Sequence, residues 1–503
     1  MSNLLERHSD KIRGVLSCFD RVVIQGTLPS LCYAEGMTKF LSRQNIRQFD
    51  YPRFAERYRD IIRANTERLA KGAGCEVVFV RKPSVRKEDL VAAAVKARGT
   101  HPGLVVVLSA VESCQTYRPW YDKHLGRACL KFDTAKCLHY YFYFIDRELG
   151  LCYVRVPTWC PFRLQVYFNG HAQLAAALDK CGIPYRMLDN AFVEVGDLEK
   201  AQRLADRIDV SKLHAKLDRY AKLYCPPAAM LGEQYRWSLM QVEYSTDIIF
   251  RKQDELAPIY EAIVRLAVQA VKADNVATFL SRRISAASRD EMGNDFSTRI
   301  HGTRLKHQMG PASIKMYDKR GIDLRIETTI TDVTFFRHHR WVERNDGVRT
   351  FKLAPLKKSI YSLVDLRELM ATANQRYIEF ISALDDPRVD LKALKKVAER
   401  AEQNGRRYRG INFFLTEDMR LTNVLVRGEF AISGLRNKDL RRFLPDKKAG
   451  WISRCLKRLR MHGLLKSIGH RYKYYLTELG RRLLITATKL REMVVIPSLA
   501  TAA

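Results

Sequence analysis

From about residue 12 to 205, short apolar runs alternate with stretches of helical period. "DRVVIQGTL", "CEVVFVRKP" and the continuous run "GLVVVLSAV" predict strands, and "LHYYFYFIDRELGLCYVRVPTW" predicts a hairpin turning near Asp146–Gly150. "RFAERYRDIIRANTERLAKGAG" and "HAQLAAALDKCG" repeat apolar residues at helical spacing and stop at glycine. Residues 206–290 then read as helical, with "CPP" at Cys225–Pro227 as an interruption. Residues 295–355 return to β, and 359–403 read as helices again. The fold class expected is α/β, of the mixed α+β kind. It comprises an α/β domain over 1–205, a central helical and β-sheet domain over 206–380, and a helical linker with a further domain over 381–503.

The central region holds the most distinctive alternation, "GPASIKMYDKRGIDLRIETT" from Gly310 to Thr329. Ile314 and Met316 share one face with Ile322, Leu324, Ile326 and Thr328; Ser313, Lys315 and Tyr317 share the other with Asp323, Arg325 and Glu327. Matching the apolar rows requires an odd loop. Lys319-Arg320-Gly321 supplies it with a left-handed Gly321, which opposes Lys315 to Arg325, Tyr317 to Asp323 and Ser313 to Glu327. Such a face suits catalysis on a phosphodiester, or else a half-buried sheet whose polar side salt-bridges internally or grips a nucleic-acid backbone. In the first case Tyr317 or a metal ion held by Glu327 would act, with Asp318 as a further catalytic candidate, while Lys315, Lys319 and Arg325 hold phosphates. Just upstream, Arg299, Arg304 and Lys306 flank Gly302 and add phosphate ligands.

The last hundred residues predict a short helix "NKDLRRFL", a basic helix "AGWISRCLKRLRMHG", a two-stranded hairpin "LLKSIGHRYKYYLT" and a helix capped by Thr477. Ile452, Cys455, Leu456 and Leu459 share the inner face of the basic helix, with Arg454, Lys457, Arg458 and Arg460 on the others. This order resembles winged-helix domains of the MarR type. The resemblance implies that the basic helix enters a major groove, while His470, Arg471 and Lys473 on the wing touch backbone. From 391 to 482 there are 24 Lys and Arg against 8 Asp and Glu, and that balance favours a nucleic-acid role over a protein contact.

Composition points the same way. The 503 residues carry 87 Lys and Arg against 55 Asp and Glu, a net charge of +32, which calls for an anionic partner. DNA is favoured and RNA remains open; a homodimer is compatible with the sequence. No lipidation signal, basic amphipathic helix, signal core or membrane-length apolar run is evident, so no membrane partner is expected and the expected compartment is the cytoplasm or nucleoid. The eleven cysteines lack zinc spacing. Carboxylates at strand ends, Asp20, Glu112 and Asp146, are candidates to converge on Mg or Mn, as in RNase H-like nucleases. Arg155 and Arg163 lie among aromatics suited to base stacking or to a sheet core. Glu243 and Asp247 are spaced for one face of a helix, as metal ligands or as a solvated acidic pair.

The residues Gly302, Arg304, Tyr317, Asp318, Lys319, Arg325 and Glu327 resemble a motif of rolling-circle replication initiators, which implies strand nicking; no His-x-His metal pair accompanies it. The whole chain resembles a large bacterial family found in multiple genomic copies, which implies a mobile element. The function expected is therefore that of a mobile-element enzyme, a transposase, nicking endonuclease or replication initiator. The alternative is a non-enzymatic DNA- or RNA-binding protein.

Overall fold

In the computed structural model the chain forms two compact units, residues 1–385 and 386–503. The structure describes residues 3–491 apart from 83, 125, 285–291, 300–301, 344–345, 385–394, 428–429, 431–433 and 468–472.

The first unit is built on one sheet of eleven strands. In chain order the strands are β1 (Ile12–Thr27), β2 (Val77–Phe79), β3 (Gly103–Asp122), β4 (Arg127–Asp146), β5 (Gly150–Pro157) and β6 (Leu164–Asn169). A separate hairpin, β7 (Tyr185–Leu188) and β8 (Ala191–Val195), follows. The sheet resumes with β9 (Arg236–Phe250), β10 (Met292–Arg299), β11 (Gly302–Met309), β12 (Ala312–Lys319) and β13 (Asp323–Ile330). The order is β10-β11-β12-β13-β9-β1-β6-β5-β4-β3-β2, antiparallel throughout except for the edge pair β2–β3. The mixed α and β class is as the sequence implies. The expected boundary at 205 falls inside this unit, because β9 seats itself between β13 and β1 and joins the strands before 205 to those after it. The helical expectation for 206–290 is corrected at β9. There Val242, Tyr244, Thr246 and Ile248 alternate with Glu243, Ser245 and Asp247, a period of two that a helix cannot use.

One face of the sheet is apolar and closed. Val22, Ile24, Phe142, Val154, Val166, Val242, Ile326 and Met316 pack under the helices Tyr51–Ala73, Val210–Tyr224, Gln253–Ala270 and Leu363–Leu384. The opposite face is covered only in part. At one end Leu16, Cys18 and Ile249 meet the helix Gly170–Lys180 and the β7–β8 hairpin. At the other, Val105, Val106 and Tyr141 meet the helix Lys87–Arg98. Between these lids the face stays half-open: Arg21 is exposed, and Glu243, Tyr153 and Tyr167 are half-buried. Among the described residues no helix is long and apolar enough to cross a membrane.

The second unit contains a small hairpin (Ala401–Gln403 with Arg406–Tyr408) and helices Thr416–Leu425, Asn437–Arg441, Ala449–Met461 and Glu478–Leu490. A hairpin of Leu465–Ser467 with Tyr474–Leu476 precedes the last helix. The small hairpin corrects the helical expectation for residues up to 403. As expected, Ile452, Cys455, Leu456 and Leu459 point into the core and Thr477 accepts from the Gly480 N–H as an N-cap; Gly463 is left-handed after its helix.

On the closed face Asn374, fully buried, bonds four strand groups. Its Nδ2 donates to the Tyr244 and Ile326 carbonyls and to Thr246 Oγ1, while Oδ1 accepts from Thr328 Oγ1 at 2.6 Å. Asn374→Ala strands these groups in an apolar layer and is expected to cost about 1–3 kcal/mol of stability. Thermal or denaturant unfolding measures it.

Candidate active site on the half-open sheet face

The 310–329 hairpin closes one residue later than its sequence pattern suggests. β12 and β13 pair Lys315 with Glu327, Tyr317 with Arg325 and Lys319 with Asp323, around the loop Arg320-Gly321-Ile322. The face assignment and the three-residue loop agree with expectation; the register does not. Two features select the observed register. Arg320 and Gly321 are both left-handed, and the Gly321 N–H is taken by Asp318 Oδ1 at 2.6 Å. The pairing also sets Lys315 against Glu327, where the expected one would have set it against Arg325. Asp318, expected in catalysis, thus caps the turn.

The polar face of the hairpin continues into β9 and β1. In β1, Asp20 and Arg21 together stand against the single residue Glu243 of β9, a β-bulge that re-aims the Asp20 carboxylate. Carboxylate oxygens of Asp20, Glu243 and Glu327 come within 4.8 Å of one another. Glu327 is held at both oxygens: Lys315 Nζ lies 2.6 Å from Oε1, and the Tyr317 hydroxyl donates to Oε2 at 2.8 Å. Lys315 Nζ also lies 3.7 Å from Glu243. Burial, followed by the neighbouring Glu327 charge, raises the Glu243 pKa. Oxygen donors crowded in this way match the chemistry of Mg²⁺ or Mn²⁺, which would relieve that repulsion.

Beneath the triad lies a buried charge network. Arg325, with no exposed surface, grips Asp247 bidentately through Nε at 2.6 Å and Nη2 at 2.7 Å. Its Nη1 reaches Asp20 Oδ2 at 3.4 Å, and Nη2 also donates to the Asn190 carbonyl at 2.8 Å. His171 stands between the two aspartates, with Nδ1 3.3 Å from Asp20 Oδ1 and Nε2 3.3 Å from Asp247 Oδ2 and 3.0 Å from Arg325 Nη2. Asn169 and Asn190 both donate to Asp20 Oδ1, at 2.9 and 2.6 Å. Burial alone would raise the Asp20 carboxyl, but His171 and Arg325 hold it well below the usual range. Burial likewise opposes ionisation of Asp247, and Arg325 brings its pKa down to about 2.

The tripeptide Asn169-Gly170-His171 builds one wall. Asn169 caps the following helix by accepting from the His171 and Ala172 N–H groups. Gly170 touches β1 so closely that a Cβ would stand 2.0 Å from the Phe19 carbonyl oxygen. Only glycine lets His171 reach Asp20. Neither Asn169, His171 nor Asn190 is foreseen from sequence, because their partners lie on distant strands. Glu243 and Asp247, expected on a helix, stand on β9; the alternating apolar residues between them are the signal that could have shown it.

Other expected site residues are placed elsewhere. Glu112 and Asp146 are not brought to Asp20. Glu112 is bound by Lys87, Tyr141 and Arg155, and Asp146 takes the Glu148 and Leu149 N–H groups beside Lys216 and Tyr220. Both lie three or four strands from β1, and their charges are spent locally. Tyr317 is 9% exposed, and burial with the adjacent Glu327 charge raises its phenol well above the ordinary value. It supports Glu327 and is poorly placed as an exposed nucleophile. Lys306 and Arg304 stand opposite Lys315 and Tyr317, so they share the site's face. Lys319 sits at the hairpin end, where burial lowers its pKa to about 8. Arg325 is buried in the network and out of reach of a phosphate. The Arg299 side chain, His470 and Arg471 lie outside the described residues. In the second unit Arg454, Lys457 and Arg460 are exposed, and Lys473 lies over the Tyr475 ring. Arg458 is buried against Asp418, which removes it from the expected contact surface.

Asp323 is fully buried, and neither of its oxygens has a hydrogen-bond partner among the described residues. Burial and the Asp247 charge push its pKa up to about 8. A raised folded pKa favours the fold below the unfolded value near 4, and that contribution is lost as pH climbs to 8. Asp323→Asn should therefore raise Tm at pH 8–9, change it little near pH 4, and flatten the pH dependence between. Melting curves across that range check this.

No family model matches the chain, and neither a curated protein nor a solved structure matches it.

Proposed function

We propose that the protein is a nucleic-acid-binding enzyme that cleaves or transfers phosphodiesters with Mg²⁺ or Mn²⁺, in the service of a mobile element. The observation that carries this reading is the convergence of Asp20, Glu243 and Glu327 on a half-open sheet face of a chain with net charge +32. A divalent ion bound there would supply a Lewis acid for a phosphate and an activated water. The chain's own residues set the geometry. The bulge and the paired asparagines aim Asp20, Tyr317 and Lys315 orient Glu327, and Arg21 and Lys315 offer positive charge to a phosphate beside the carboxylates. In the second unit the exposed Arg454, Lys457 and Arg460, on a helix followed by a two-stranded hairpin, support a winged-helix contact to DNA. The mobile-element role rests on the sequence resemblance.

A second reading is a binder without catalysis. It is favoured by the compensation already present: Glu327 has its lysine, and Asp20 its histidine and arginine.

Magnesium or manganese should support cutting of DNA or RNA, and EDTA should stop it. Glu243→Gln and Glu327→Gln should lower the rate at least about 100-fold with binding intact. Tyr317→Phe should retain activity within roughly tenfold, since it removes one support of Glu327 and no nucleophile. Metal-independent behaviour of the intact protein would select the binder.

Reversing charge at Arg454, Lys457 and Arg460 should weaken binding. It should also reduce the slope of log affinity against log salt by about 0.9 for each phosphate that is no longer neutralised. Arg458→Ala should instead lower Tm. Salt titrations and melting curves separate the two effects.

A further inference from the structure

The site's face carries a row of side chains that runs across the strands, from β4 to β11. The register pairs Tyr143 of β4 with Tyr153 of β5, and Tyr153 with Tyr167 of β6. Their rings follow one another at centroid distances of 5.2 and 5.0 Å, the second pair stacked. Arg21 of β1, exposed, lies 5.4 Å over the Tyr167 ring and is the neighbour of Asp20 in the chain. The carboxylate triad follows on β1, β9 and β13. Beyond it come Lys315 of β12 and Lys306 of β11, which are cross-strand partners. Aromatic, acidic and basic stretches thus succeed one another over eight consecutive strands. At a spacing of ~4.8 Å per strand the row is about 34 Å long.

We infer that this row is the path of a single-stranded nucleic acid, with unpaired bases stacked on Tyr167, Tyr153 and Tyr143 and the backbone beyond the triad held by Lys315 and Lys306. The inference rests on the catalytic reading above and adds the substrate class. Half-buried tyrosines on a sheet floor offer aromatic surface, which suits bases. A duplex cannot use them, because its bases already stack on one another. Charge complementarity selects the occupant: Arg21 and the two lysines face the row, and a polyanion passing between them places one phosphate at the carboxylates. The length is of the order of known single-strand footprints, roughly 4–16 nucleotides. The half-buried ion pair of Arg155 with Glu112, joined by Lys87, stands on the same face beside the aromatic stretch.

The test uses the full chain in EDTA, with fluorescence anisotropy of labelled oligothymidylate and oligouridylate of about 20 nucleotides and a duplex of similar length. Tyr153→Leu with Tyr167→Leu should weaken single-strand binding about 10- to 100-fold and leave duplex binding, which the second unit provides, unchanged. Equal loss for both ligands, or no loss, overturns the proposal. Should the double variant fail to fold, the wild type is photocrosslinked to iodouracil oligonucleotides and the linked peptides are mapped. Crosslinks at Tyr143, Tyr153 or Tyr167 support the path, and crosslinks confined to other segments overturn it. The tighter of the two oligonucleotides identifies DNA or RNA as the source. Binding without metal-dependent cutting leaves the path standing and removes the catalytic reading; cutting with tyrosine-independent binding does the reverse.

Discussion

The guanidinium of Arg325 is the charge on which the half-open face depends. It is fully buried, bidentate to Asp247, in reach of Asp20 and bonded to His171 and the Asn190 carbonyl. These groups come from β13, β9, β1, the start of the helix Gly170–Lys180 and the β7–β8 hairpin. Without that cation the two aspartates would be uncompensated charges in a dry layer. Breaking a buried pair of this kind costs roughly 3–5 kcal/mol, far more than an exposed pair contributes. The network therefore does two things at once. It clamps the covering elements onto the sheet, and it keeps Asp20 ionised beside Glu243 and Glu327.

Around that clamp, backbone irregularities place the chemistry. A regular β1 would have aimed either Asp20 or Arg21 at this face; the bulge lets Asp20 meet Glu243 while Arg21 lies over Tyr167. The contact at Gly170 brings the helix down until His171 reaches the same carboxylate. Both features act through position, and neither residue type carries a functional signal by itself.

The distribution of charge also separates two tasks. The sheet face mixes acids with bases around a small set of carboxylates, which suits the proposed chemistry on phosphate. On the helix Ala449–Met461 every exposed charged side chain is a cation, which suits the proposed groove or backbone contact. Arg458 departs from its neighbours because Asp418 draws it into the core of its unit.

Much of the fold was legible along the chain. Period-two alternation marked the 310–329 hairpin and its two faces, apolar runs marked β3 to β5, and glycine and threonine marked the ends of the C-terminal helices. These signals are local, since a strand's faces and a helix's stripe follow from backbone period alone. Net charge, likewise additive, pointed to an anionic partner. The site was only partly legible. Asp20, Lys315 and Glu327 stood out, yet Asp20 grouped by its strand-end position with Glu112 and Asp146, and the spacing of Glu243 and Asp247 suited a helix. Which strands are neighbours depends on long-range pairing, and β9 lies between β1 and β13 although nearly 210 residues separate β1 from β9. Sequence by itself determined the faces, the caps and the charge; only the tertiary structure decided which carboxylates meet, because strand order and a one-residue bulge set distances that no local period encodes.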